Sequence, residues 1–174
     1  MRRFEEGGDL YLLPSEFLSV LQFRAFNELL LPNPKSLKLG GVTENSVSFI
    51  PVLLPPGITS IFLTFEFDLP KTMIASTVTA LPTLCLNLHT IGLYSLPGDP
   101  TITVAISRML LVTNRSTLQQ LYVDCPLTEA AIEVLYKLPN LCSLSVFIER
   151  ETSLPSPSLP NITRLTITYD NDDG

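Results

Sequence analysis

"LQQLYV", Leu118 to Val123, is the stretch on which the fold turns: an apolar residue, two others, an apolar residue, one other, and an apolar residue. The same arrangement recurs as Ile58, Ile61, Leu63; as Leu88, Ile91, Leu93; as Leu141, Leu144, Val146; and as Ile162, Leu165, Ile167. A partial copy has Leu37 and Leu39, with Pro34 in place of the first apolar residue. Between central residues the copies run 37 to 61, 61 to 91, 91 to 121, 121 to 144 and 144 to 165, steps of 24, 30, 30, 23 and 21 residues. Self-similarity at such a period is the mark of an architecture in which each copy is one small unit, unable to bury its apolar side alone.

Outward from each motif the chain carries boundary signals. "LPNP" at Leu31, "LPPG" at Leu54, "LPTL" at Leu81, and "LPN" at Leu138 and Leu159 precede the copies. Their prolines, which cannot donate to a helical ladder and which restrict the residue before them, predict helix-to-strand corners. Between copies lie helical stretches. In "GDPTITVAISRMLLVTN", Asp99 is a capping residue, Pro100 suits the first helical position, and Ile102, Ala105, Ile106, Met109 and Leu110 form one stripe. In "LTEAAIEVLYKLPN", Thr128 caps, Glu129 complements the positive helix end, and Ile132, Leu135 and Tyr136 share a face. Lys71 to Leu81 carries Ile74, Val78 and Leu81 at helical spacing, and Thr43 to Ile50 predicts a short helix stopped by Pro51. The proline-rich "IERETSLPSPSLPN" predicts extended or irregular chain.

Strand, turn and helix at a period near 20–29 residues predict an α/β leucine-rich-repeat solenoid of about 6–7 degenerate repeats. Its curved parallel sheet lies on the concave side and its helices on the convex side. Strand alternation turns Leu121 and Val123 inward and Gln120, Tyr122 and Asp124 outward. The same rule turns out Ser60, Phe62 and Thr64; Thr90, Gly92 and Tyr94; Ser143, Ser145 and Phe147; and Arg164, Thr166 and Thr168. Four of these are aromatic: Phe62, Tyr94, Tyr122 and Phe147. Aromatic residues on an exposed sheet are the chemistry of a protein contact patch, with Gln119, Gln120, Asp124, Arg164 and Thr166 at its rim. A register slip of one residue would instead bury Phe62 or Phe147.

Composition excludes other classes. Hydrophobic residues are 45% and charged residues 16% of 174, with a mean hydropathy of +0.32, which is the profile of one folded domain. A net charge of −6 and a pI of about 4.7 supply no basic field, so neither nucleic acid nor a membrane is an expected partner. No apolar run reaches the ~18 residues of a membrane helix. Glu5, Glu6 and Asp9 follow the two N-terminal arginines, which is wrong for a signal peptide, so the chain reads as intracellular, in cytoplasm or nucleus. The sequons at Asn114 and Asn161 matter only in a secreted chain. Cys85, Cys125 and Cys142 form no CxxC pair and one histidine is present to join them, so the reading has no disulfide framework, no metal and no cofactor.

The same reading has no catalytic residues. His89 stands alone as a base. Gly7-Gly8 and Gly40-Gly41 lack the Lys-Ser/Thr of a phosphate loop, and Glu149 and Glu151 flank Arg150 in a solvated charge cluster. An interaction module, not an enzyme, is expected.

"LPTLCLNLHTIGLYSLPGDP", "LLVTNRSTLQQLYVDCPLTEAAIEVLYKLPNLCSLSVFIERETSLP" and "LPNITRLTITYD" resemble the repeat region of F-box/leucine-rich-repeat proteins abundant in fungi, over roughly Leu31 to Asp170. The resemblance implies the substrate-recognition part of an F-box-type ubiquitin ligase receptor. A protein substrate would sit on the concave face, and a Skp-type adaptor would be a partner where an F-box precedes the chain in a longer parent. A repeat scaffold with no ubiquitin role is the alternative. The asparagine that ladders at the strand end in such repeats is missing from most copies.

"LPSEFLSVL", Leu13 to Leu21, itself resembles the opening of an F-box, but too few residues lie between Leu13 and Leu37 for a three-helix bundle, and tryptophan is absent. Leu10 and Leu12 imitate the end of a strand motif one step of 27 before Leu37, which reads Pro14 and Ser15 as the turn of an incomplete first unit, with a truncated F-box remnant as the alternative. The organisation expected is one domain over 1–174: an incomplete first repeat at 1–30, repeats over 31–170, and an acidic tail at 171–174.

Overall fold

In the computed structural model the described residues are 4–5, 9–12, 34–54, 57–113, 116–148 and 161–169, the first two groups as backbone. The apolar motif becomes a strand each time. The strands are β1 (Phe4–Glu5), β2 (Asp9–Leu12), β3 (Ser36–Val42), β4 (Ser60–Phe65), β5 (Thr90–Tyr94), β6 (Gln120–Pro126), β7 (Ser143–Ile148) and β8 (Arg164–Tyr169). They form one sheet in sequence order, parallel from β2 to β8, with β1 antiparallel to β2. Leu10 pairs with Leu37 and Leu12 with Leu39, as the 27-residue step predicts; the antiparallel β1 was not expected. The stretch Leu13 to Leu21, the acidic tail at 171–174 and nearly all of "IERETSLPSPSLPN" lie outside the described residues.

The register stacks like upon like. Leu37, Ile61, Ile91, Leu121, Leu144 and Leu165 occupy one row across the sheet, and Leu39, Leu63, Leu93, Val123, Val146 and Ile167 another. The side chains of the first row are buried from Leu37 to Leu144, and those of the second from Leu63 to Val146. Stripes from the helices complete a single core against them: Ile74, Val78 and Leu81; Ile102, Ile106, Met109 and Leu110; Ala131, Ile132, Val134 and Leu135. All described helices therefore cover one face of the sheet, the layered solution for apolar stripes that cannot be buried singly.

At each strand start one carbonyl accepts two successive amides of the next unit. Lys35 O takes the Thr59 and Ser60 N–H groups (2.8 and 3.0 Å), Thr59 O those of His89 and Thr90 (2.7 and 3.1 Å), and His89 O those of Gln119 and Gln120 (2.8 and 2.9 Å). Gln119 O takes Cys142 and Ser143 (2.8 and 3.1 Å), and Cys142 O takes Thr163 and Arg164 (2.9 and 3.1 Å). Asparagine laddering exists too, one residue before the motif instead of after the strand. Asn140 Nδ2 donates to Ser116 O and Asn161 Nδ2 to Pro139 O, both at 2.6 Å and both onto the equivalent carbonyl one unit back.

The helices are α1 (Glu44–Val47), α2 (Ile50–Leu53), α3 (Lys71–Leu84), α4 (Pro100–Val112) and α5 (Glu129–Tyr136). Asp99 and Thr128 cap α4 and α5 as their sequence predicts, accepting from the Thr101 and Ala131 amides. The Thr128 hydroxyl also meets Ser107 Oγ at 2.7 Å, tying α5 to α4.

Two proline expectations are corrected. Pro51 does not stop a Thr43–Ile50 helix: Thr43 and Ser46 form a capping box around the one-turn α1, and Pro51 lies in the first turn of a second, where its missing N–H costs nothing. The "LPTL" proline is no corner either, since α3 continues through the buried Pro82 to Leu84. A proline in the last turn forfeits few ladder bonds, and the Cys85 amide still reaches Leu81 O (2.9 Å) beyond it.

Lys71 Nζ, at the start of α3, lies 2.6 Å from Asp99 Oδ2, at the start of α4. This bond first, and the Thr101 amide second, hold the Asp99 carboxyl down from 3.8 to about 2. A carboxyl lowered on folding adds stability above its unfolded pKa and loses it as pH falls through the folded one. Asp99→Asn is therefore expected to lower the melting temperature at neutral pH, with the difference from the parent shrinking between pH 3.8 and about 2 and gone below that window; melting curves at stepped pH measure it. Leu121→Ala, a truncation in the centre of the stacked row, is expected to cost about 2–5 kcal/mol in urea unfolding.

Candidate functional site

Opposite the helices, the outward residues form rows of their own. One row reads Lys38, Phe62, Gly92, Tyr122, Ser145 and Thr166, and a second Ser36, Ser60, Thr90, Gln120, Ser143 and Arg164. No described helix packs on this face. The expected outward register is the observed one, and neither Phe62 nor Phe147 has slipped into the core: both side chains are half-buried.

The first row folds in on its middle. Phe62 and Tyr122 flank Gly92 from strands on either side of β5, and their rings meet at 6.3 Å between centroids, tilted by 32°. Strand neighbours two apart stand about 9.6 Å from one another, so the rings reach each other only across a residue without a side chain. A Cβ at Gly92 would fall well inside van der Waals range of Phe62 Cδ1 and 3.0 Å from Tyr94 Cε2. Three of the four predicted aromatics thus close over one glycine. Lys38 Nζ lies 5.5 Å from the Phe62 centroid on the other side, a cation over a ring face.

Polar groups border the aromatic cluster. The Tyr122 hydroxyl is 3.3 Å from both Gln120 Oε1, to which it donates, and Ser143 Oγ. Burial first, then the Tyr122 hydroxyl and the Asp124 carboxylate, push the Tyr94 phenol above its ordinary range, so it remains a neutral hydrogen-bonding group at physiological pH.

The remaining predicted residues have other places. Asp124 is exposed, but both its oxygens are engaged: Oδ2 accepts from the Ser95 amide and Oδ1 from the Leu96 amide at 3.1 Å. Ser95 has φ +56, the left-handed region, so this carboxylate anchors the strained turn that ends β5. Phe147 is set opposite Pro126 by an irregularity in β6 between Val123 and Pro126, and so is not level with Tyr122. Arg164 is exposed at the start of β8, two strands from Tyr122. Lys38 and Ser143 were not singled out from the sequence as site residues. The partial motif at Leu37 and Leu39 did hold the signal for Lys38, because an outward residue between them must align with Phe62.

Cys85 and Cys125 lie in the core, while the half-buried Cys142 donates its thiol to Gln119 O at 3.4 Å. Burial pushes Cys85 up to about 11 and Cys125 up to about 12, with Asp124 beside the latter, so both stay protonated near neutrality. His89 serves the strand start through its backbone. No three His, Cys, Asp or Glu side chains among the described residues gather to hold a metal ion, and no described helix is long and apolar enough to cross a membrane.

Gly92→Ala is expected to force the Phe62 ring aside at a cost of about 1–3 kcal/mol. In a Phe62→Ala background the same change should cost markedly less, with only the Tyr94 ring left to give way; a double-mutant cycle by urea unfolding reads the coupling.

Comparison of the chain with protein-family models, with curated proteins and with solved structures gave no match.

Proposed function

We propose that the chain is a leucine-rich-repeat solenoid that binds a protein through the helix-free face of its sheet, centred on Phe62, Tyr94 and Tyr122. The observation that carries this reading is the aromatic cluster over Gly92 on a face that no described helix covers. Large aromatics bordered by hydrogen-bonding groups are the chemistry of binding hot spots. Gln120 supplies a hydrogen-bonding side chain at the edge, the buried Ser143 holds the Tyr122 hydroxyl, and Lys38 supplies a charge.

Curvature supports the choice of face. Packed helices need 8–10 Å between axes, whereas neighbouring strands need about 4.8 Å. A parallel sheet with one helix per strand on one side must bend so that the strands lie inside. The aromatic cluster then lines a hollow, into which a convex partner fits with more contact than on a flat sheet.

The resemblance of the repeats to those of F-box/leucine-rich-repeat proteins makes the bound protein a candidate for ubiquitination, in cytoplasm or nucleus. Recovery of a Skp-type adaptor and cullin with the full-length protein is the outcome that reading requires. Capture of the same bound protein without them leaves a scaffold that only assembles complexes.

Phe62→Ala and Tyr122→Ala are each expected to abolish capture of a protein that the parent and the helix-side Leu111→Ser variant both retain. The Tyr122 truncation should cost about 1 kcal/mol of stability, far less than Leu121→Ala. Undiminished capture by both aromatic variants would sink the proposal.

A further inference from the structure

The helices of the central units do not all present the same kind of surface. On α5 the outward residues include Glu129 and Glu133, and Lys137 at its end lies 3.8 Å from Glu133, an ordinary solvated face. α3 and α4 contain no aspartate or glutamate, although the chain carries a net charge of −6. Their charged residues are Lys71 and Arg108, and Lys71 is committed to Asp99.

α4 is apolar on two sides. Ile102, Ile106, Met109 and Leu110 are buried in the core, as its sequence predicts. Its outward stripe is Val104, Arg108 and Leu111, spaced four and three apart so that two turns bring all three onto one side. Val104 is 43% exposed, Leu111 50% and Val112 beside it 66%. A surface helix ordinarily sets charged and polar residues there.

α3 runs parallel to α4, with the Lys71–Asp99 pair joining their first turns. Between the two helices lies an open groove of about 800 Å³, lined by Ala75, Thr79 and Ala80 from α3 and by Val104, Ala105 and Arg108 from α4. Arg108 is exposed at this groove and makes no ion pair or hydrogen bond with any described residue.

We propose that the groove is a docking site for an amphipathic helix of a partner protein, whose apolar stripe covers Val104 and Leu111 and whose Asp or Glu pairs with Arg108. The backbone of α3 and α4 is paired within each helix along the groove, so no N–H or C=O is offered to an extended segment. A segment buried there has to satisfy its own backbone, as a helix does. Val104, Arg108 and Leu111 match side chains three and four apart on the incoming helix, and the alanines allow an approach at the near end of the 8–10 Å range of packed helices. Charge selects the sign: a carboxylate meets Arg108, whereas a lysine would find no carboxylate on either helix and would be repelled by Arg108.

The groove lies on the helix side of the sheet and Phe62 and Tyr122 on the other, so the two surfaces can be filled together. A chain occupied on both would bridge two proteins.

The test is a display library of helical peptides, randomised along one face of an alanine-rich helix and panned against the full chain. Enriched clones are expected to carry apolar residues three and four apart, an Asp or Glu beside them, and no proline within the stripe. Arg108→Glu should weaken their binding about tenfold, and clones remade with Lys in place of the acid should bind that variant within about threefold of the original pair. Leu111→Ser should also weaken binding about tenfold, while Phe62→Ala and Tyr122→Ala leave it unchanged. Circular dichroism of the Arg108 and Leu111 variants should match the parent, since both side chains are exposed. Absence of enrichment overturns the proposal, as do clones that bind the Arg108→Glu and Leu111→Ser variants undiminished or that lose binding on Phe62→Ala. Clones that tolerate proline in the stripe overturn it in favour of an extended occupant. A parent that sediments as a dimer dispersed by Leu111→Ser overturns it in favour of a second copy of the chain.

Discussion

Where each unit turns into its strand, a single backbone carbonyl, at Lys35, Thr59, His89, Gln119 and Cys142 in turn, takes two amides from the unit that follows. The arrangement satisfies backbone groups that would otherwise be left at a crowded turn. It also fixes the register in which each strand meets the next. Because side chains alternate across a strand, displacement by one residue would carry every leucine of a unit from the core to solvent. The stacked apolar rows, the outward rows and the meeting of Phe62 with Tyr122 all presuppose this join. Asn140 and Asn161 add a second fastening one residue earlier, onto the carbonyls of Ser116 and Pro139.

Between the joins, the units differ in what they carry. The two steps of 30 residues hold the long helices α3 and α4, while the step of 23 holds the shorter α5. The long pair is held together at its tips by Lys71 and Asp99, and α4 is tied to α5 by Ser107 and Thr128. The helical side thus varies in length without disturbing the sheet, because the strand pairing is decided at the carbonyl joins. The outward face inherits a constant register on which single residues, such as Gly92, create local relief.

The apolar rows were legible in the sequence because burial admits few residue types at those positions, and each substitution there would be felt by neighbours on both sides. The caps of α4 and α5 were legible for a similar reason: an orphan amide needs an acceptor at a fixed place. Proline misled. Its effect depends on which turn of a helix it occupies, so Pro51 within a first turn and Pro82 within a last one read alike as stops until the boundaries are known. The laddering asparagines lie before the strand, whereas the repeat pattern places them at its end.

At the candidate site, alternation placed Phe62, Tyr94 and Tyr122 on one face but could not bring them together, since their contact depends on the strand between them lacking a side chain. Asp124 looked like a binding residue because alternation gives direction and not partners; its carboxylate is committed to the turn at Ser95 and Leu96. The irregularity in β6 that displaces Phe147 leaves no mark in the apolar pattern, because it falls after the last inward residue of the motif.

The strand order has a kinetic corollary. Every strand pair from β2 to β8 joins neighbours in sequence, so each closure spans only 21–30 residues and no closure waits on a distant one. Such a chain has no single obligatory nucleus. The region from β4 to β6, where two long helices lock over three strands, is the place where order is cheapest to start, and it spreads outward one unit at a time. Unfolding runs the same course in reverse, so amide exchange should be fastest at β8, where Leu165 is uncovered, and slowest beneath α3 and α4.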